Sequence, residues 1–153
     1  MRSDHREMTR ALKALVVPPL KALGFAGRFP YFRRKRGAEH QMLMIGFNKY
    51  GGSFYLEGGR LSDTDYEALK ERWGRAGKAL AEEDLNVGHC KWNCRARLGA
   101  ESVTPATDHW FVFGPEKGKE SSIVQLPSHF NGVASKVVSV VEAQVERFFA
   151  SAS

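Results

Sequence analysis

The stretch from Gln41 to Lys49 constrains the fold more than any other. Drawn as an extended strand, it points Met42 and Met44 one way and Leu43, Ile45 and Phe47 the other. A strand apolar on both faces belongs in the middle of a sheet that is covered on both sides. Gly51-Gly52 then supplies a hairpin turn into a further strand, Ser53–Glu57. Upstream, Arg28–Arg36 reads as a strand set off from the central one by a turn at Gly37 and Ala38.

Helical spacing flanks this meander. Over residues 4–23, Met8, Leu12, Leu15, Val16, Pro19 and Leu23 recur on one face, with Asp4 and Glu7 at capping-box spacing. Pro18 and Pro19 each remove a backbone donor, so a break is expected near Val17, and Gly24 is the stop. Ser62–Ala81 is a second helical segment. It has Ser62 and Asp65 as a capping box, and Tyr66, Leu69, Trp73 and Leu80 on one face. Gly74 and Gly77 weaken its end, so the helix is expected to stop near Trp73 and leave Gly74–Gly88 as an acidic, mobile loop. A third helix, Val133–Phe149, carries Val137, Val141, Val145 and Phe148 on its buried stripe.

Between the second and third helices, Cys90, Trp92, Cys94, Ala96 and Leu98 alternate with Lys91, Asn93, Arg95 and Arg97. That alternation predicts a strand with one apolar and one cationic face. A further strand at His109–Phe113 turns through Gly114–Gly118, and Ser122–Leu126 is placed to pair back. The order predicts an α+β fold in one domain spanning residues 1–153. Its antiparallel sheet has about five to six strands, with the N-terminal and C-terminal helices packed on one face.

The chain has 153 residues, with 42% apolar and 26% charged, enough to build a core without disulfide or metal. That balance excludes a disordered tail, a collagen-like fibre and a coiled coil. Arg2, Asp4, Arg6, Glu7 and Arg10 stand where a leader would carry its apolar segment, and no apolar run approaches membrane-spanning length. The expected location is the reducing cytoplasm, with no membrane association. The basic residues flanking the N-terminal stripe would also suit a membrane-surface helix, but a bare sheet face is the better home for that stripe.

Charge is unevenly spread. The net +6 breaks into +8 over residues 1–60, −3 over 61–88 and +1 over 89–153. The run Arg28-Phe29-Pro30-Tyr31-Phe32-Arg33-Arg34-Lys35-Arg36 interleaves cations with aromatics, as surfaces that neutralise phosphates and stack bases do. Its order does not match the aromatic signature of RNA-binding sheets. The competing reading is an edge strand protected by its charges, with its rings in the core. The candidate contacts are Arg33, Arg34, Lys35 and Arg36, joined by Lys91, Arg95 and Arg97, with Tyr31 and Phe32 as stacking rings.

Catalytic signals are weak. The chain contains no nucleophile elbow, phosphate-binding loop, metalloprotease helix or dinucleotide fingerprint, and Gly51-Gly52 and Gly58-Gly59 read as hairpin glycines. Cys90 and Cys94 lie four apart on a strand, about 13 Å from one another at ~3.3 Å per residue. They are therefore expected as buried core thiols rather than as a metal pair or a disulfide. The histidines, His5, His40, His89, His109 and His129, share no motif. No catalytic residue, metal or cofactor is assigned.

Three segments together carry a family likeness: Leu20-Lys21-Ala22-Leu23-Gly24-Phe25, then Tyr31-Phe32-Arg33-Arg34, then Asn48-Lys49-Tyr50-Gly51-Gly52-Ser53-Phe54-Tyr55-Leu56. With them the chain resembles the bacterial family called domain of unknown function 4304. The likeness covers about residues 10–61, with Trp110 as a later echo, while Glu57-Gly58-Gly59 and Cys90–Leu98 fall outside it. It implies a small α+β domain and brings no catalytic residues. The expected function is a non-enzymatic binding module that recognises nucleic acid or an acidic protein through a basic sheet face. The alternative is a small-molecule binder or enzyme with a pocket between sheet and helices, for which Asp108, His109, His129 and Glu82-Glu83-Asp84 are the available polar groups.

Overall fold

A computed structural model of the protein describes residues 3–100, 108–116, 118 and 125–150. Helix α1 (Ser3–Leu15) and helix α2 (Val17–Ala22) share one buried stripe. Met8, Leu12, Val16 and Leu20, each four residues on, are fully buried. The break falls where the prolines require it, with Pro18 and Pro19 in the first turn of α2, whose donors have no intrahelical partner. Gly24 at φ +93° ends α2 in a Schellman pair, in which Phe25 N donates to Leu20 O and Gly24 N to Lys21 O. Two details differ from expectation. The helix already begins at Ser3, so Asp4 lies inside the first turn instead of capping it, and Leu15 is exposed at 36%.

Strands β1 (Tyr31–Arg36), β2 (Glu39–Phe47), β3 (Ser53–Ser62) and β4 (Arg95–Leu98) follow one another across an antiparallel sheet. The fifth strand, β5 (Phe111–Val112), pairs with Ser53 and Phe54 of β3, while β4 pairs with Leu56–Gly59. Strand β3 is twice the expected length because Gly58 and Gly59 sit inside it rather than in a turn. Their missing side chains make room for closely packed layers. A Cβ at Gly58 would stand 2.9 Å from the Phe148 ring, and one at Gly59 would stand 2.7 Å from Cys90 Sγ. The hairpin at Gly51 and Gly52 forms as read, both glycines having positive φ.

The sheet carries two cores, as the two-faced β2 requires. Phe32, Leu43, Ile45, Phe54, Leu56 and Leu98 point into the larger one, against α1, α2 and the C-terminal helical segment. That segment comprises α4 (Pro127–Val140), a π-helical turn (Val141–Val145) and α5 (Glu146–Ala150). The wide turn shifts the stripe by one residue. Phe149 is therefore buried below Val145, while Phe148, expected on the stripe, is half-buried over Gly58.

On the opposite face, Met42 and Leu61 meet α3 (Asp63–Arg75) through Tyr66. Ser62 caps α3 as expected, its hydroxyl accepting from Asp65 N at 3.1 Å. Gly74–Gly88, expected as a mobile loop, is packed onto the sheet. Leu80, Leu85 and Val87 are buried in the second core, and the Tyr66 hydroxyl donates to Leu80 O. The expected strand from Cys90 is also corrected, since only Arg95–Leu98 pairs as a strand. Single 3-10 turns at Val87–His89 and Trp92–Cys94 precede it, closed by Cys90 N to Val87 O and Cys94 N to Lys91 O. Cys90 is consequently buried but Cys94 is half-exposed, which corrects the pair of core thiols, and Trp92 is 65% exposed. The expected strand at Ser122–Leu126 lies largely outside the described residues.

Candidate functional site

Pairing register assigns every candidate side chain to a face. Tyr31, Arg33 and Lys35 of β1 stand opposite Met44, Met42 and His40, while Arg95 and Arg97 of β4 stand opposite Gly59 and Glu57. All of these belong to the face that carries α3 and the second core. Phe32, Arg34 and Arg36 alternate onto the other face. The cations expected on one patch are therefore divided between two. Lys91 belongs to neither, since it precedes the Trp92–Cys94 turn.

Partners divide them further. Arg34 is buried: its Nε donates to Gln41 Oε1 at 2.7 Å, its Nη1 to Leu23 O at 2.8 Å and its Nη2 to Glu146. Its guanidinium lies 4.5 Å from the Phe25 ring centroid and 5.5 Å from that of Phe149. It ties β1 to β2 and α5 and is an internal clamp. Phe32 is 2% exposed, part of the core, and is no stacking ring. Arg36 donates to Leu23 O, Lys35 pairs with Asp63 at 3.2 Å, and Lys91 pairs with Asp65 at 3.4 Å. Arg95 lies 3.9 Å from Glu57, and Arg97 is bonded to Asp108. Of the seven candidate cations, Arg33 alone has a side chain without a hydrogen-bond or ion-pair partner among the described residues.

What the face does gather is aromatic. Tyr31 is 49% exposed at its β1 end. At the β4 end the Arg97 guanidinium lies 3.9 Å from the Tyr55 centroid and 4.8 Å from that of Trp110, whose rings meet edge to face at 5.3 Å. Trp110 Nε1 donates to Asp108, the carboxylate that also holds Arg97. The Tyr55 ring lies across Gly46, where a Cβ would stand 2.2 Å from it. Tyr55 shares its face of β3 with Glu57, two residues on, and that spacing is readable from the sequence. Trp110 had no comparable signal, because its place depends on β5 pairing back onto β3.

Asp108, His109, His129 and Glu82 are each taken up by different neighbours. His129 Nε2 is 2.8 Å from Phe113 O, His109 packs on Gly99 and Phe111, and Asp108 is taken up by Arg97 and Trp110. Glu82 sits beside a different histidine, 3.8 Å from His40 Nε2, with Asp63 at 3.1 Å. Burial pushes the Cys90 thiol up to about 12, so it is no nucleophile at neutral pH. Among the described residues, no three histidine, cysteine or carboxylate side chains are grouped to hold a metal ion, and no helix is long and apolar enough to cross a membrane.

Fold and face together define a small α+β domain built on a two-sided antiparallel sheet, with an arginine-aromatic cluster at one end. The chain belongs to the family described as domain of unknown function (DUF4304), whose model matches residues 16–139. No curated protein and no solved structure matches it.

Proposed function

We propose that the protein is a binding module for single-stranded nucleic acid, held across the sheet face from Tyr31 at its β1 edge to Tyr55, Arg97 and Trp110 at its β4 edge. The observation that carries this reading is the Arg97 guanidinium packed on both Tyr55 and Trp110. A planar cation fixed by two rings and a carboxylate is a preorganised stacking surface, and Tyr31 offers an exposed ring on the same face. Base stacking on such groups contributes about 1–3 kcal/mol per base and tolerates any sequence. An acidic protein would gain chiefly from unpaired cations, and most of the candidate cations here are already neutralised.

The test is fluorescence anisotropy of a labelled single-stranded oligonucleotide at low salt, with poly-glutamate as the competing acidic polymer. The oligonucleotide is expected to bind, and Tyr31→Ala and Arg97→Ala each to weaken it by about tenfold. Binding of poly-glutamate without binding of the oligonucleotide would make the partner an acidic protein and overturn the reading.

A further inference from the structure

The cations without a carboxylate partner are as informative as the paired ones. Within the basic run 28–36, Arg34, Lys35 and Arg36 are engaged by Glu146, Asp63 and Leu23 O. Arg28 and Arg33 have no side-chain partner among the described residues, and both line one cavity of about 300 Å³. Gly27, Tyr31 and Phe32 also line it, and so do Glu83 and Leu85 from the segment packed across the sheet. Gly27 lets the loop close over the strand: at φ +116° a Cβ would approach Tyr31 O to 2.6 Å. The volume is at the lower end for small-ligand sites.

Three ionised groups surround this space: two guanidiniums and one carboxylate. Their complement is a ligand with an anionic group at one end and hydrogen-bond donors at the other. Guanidinium forks match phosphate oxygens, an exposed tyrosine stacks on a base, and a carboxylate accepts from paired donors. Guanine is the only common base whose Watson–Crick edge presents two adjacent donors, N1–H and the N2 amino group. Adenine and cytosine would set a ring-nitrogen lone pair against the carboxylate, and uracil or thymine would flank one donor with two carbonyls.

We infer that this cavity takes a guanine nucleotide, its phosphate on Arg28 and Arg33, its base against Tyr31 and its donor edge on Glu83. The inference rests on the single-strand reading and adds to it a position that selects one base.

The experiment titrates the full chain with GMP, IMP and AMP, following amide shifts by NMR. GMP is expected to bind about tenfold more tightly than AMP, with IMP, which lacks the N2 amino group, between them. Glu83→Gln should bring GMP down to the level of AMP, and Arg33→Ala should weaken all three. A twelve-residue oligothymidylate, with and without one internal guanine, provides the second arm, and the guanine should tighten binding. Equal binding of the three nucleotides, with oligothymidylate still bound, would overturn the cavity assignment and leave the sheet-face reading standing. Absence of binding by nucleotides and oligonucleotides alike would overturn both. Selective GMP binding with no oligonucleotide binding would support the cavity for free nucleotide and overturn the strand.

Discussion

Substituting Arg34 by alanine would strip a partner from Gln41 and from Glu146, leave the Leu23 carbonyl to Arg36 alone, and open a gap beside the Phe25 and Phe149 rings. Gln41 Oε1 is left buried without that donor, at a cost of about 1–3 kcal/mol, whereas Glu146, 53% exposed, returns to water. For a domain of this size each kcal/mol lowers the melting temperature by about 2–4 °C. Thermal unfolding of Arg34→Ala should therefore begin several degrees lower, whereas Arg33→Ala, one residue away and with no side-chain bond among the described residues, should unfold near the wild-type temperature. The two cysteines give a second contrast. The half-exposed Cys94 should alkylate in the native protein at pH 8, and Cys90 only after unfolding. The Cys90 thiol ionises near 9.0 in the unfolded chain and near 12 when folded. Between those values the unfolded state has lost a proton that the folded state keeps, so this contribution to stability falls as pH rises through that window. Urea midpoints at pH 8 and pH 10.5, compared with those of Cys90→Ala, isolate it. A wild-type decline no steeper than the variant's would contradict the assignment.

Among the elements, the C-terminal helix shows how one turn redirects chemistry. The π-helical turn at Val141–Val145 brings Gln144 inward among valines, where Oε1 accepts from Gly99 N at 2.9 Å and Nε2 donates to Ala100 O at 3.0 Å. Gln144→Leu should cost about 1–3 kcal/mol by leaving both backbone groups unpaired, read as a lower urea midpoint. Strict 3.6-residue spacing hid this, since it places Phe148 where Phe149 packs. The elements legible from sequence were those whose signal is local: the proline break at α2, the Ser62 cap, the two-faced β2 and the Gly51-Gly52 turn. Those that were misread depend on distant partners. Gly58-Gly59 look like a turn until Phe148 and Cys90 are seen to need the space, and Cys90–Cys94 alternates like a strand although 3-10 turns turn it onto the second core. At the candidate site, Tyr31 and Arg33 were legible from β1 alone. Arg34 and Phe32 were not, because alternation separates the two faces without telling which is covered. Gly46→Ala tests the element that seats Tyr55: a methyl there must displace the ring, so oligonucleotide affinity should fall while the fold persists.

Over the whole molecule, a net charge of +6 says less about partners than the local pairing does. Among the described residues, five of the seven candidate cations are paired with carboxylates on the same chain and Arg36 is bonded to a carbonyl, which leaves Arg33, joined by Arg28 from outside that set, as the open pair beside Tyr31. The account thus claims that this face holds its ligand mainly by stacking. The salt dependence of oligonucleotide binding tests that claim most directly. Each single-strand phosphate contacted contributes about −0.7 to the slope of log affinity against log salt. Two free guanidiniums predict a slope of about −1.4; a slope near −5, as seven working cations would give, would contradict it.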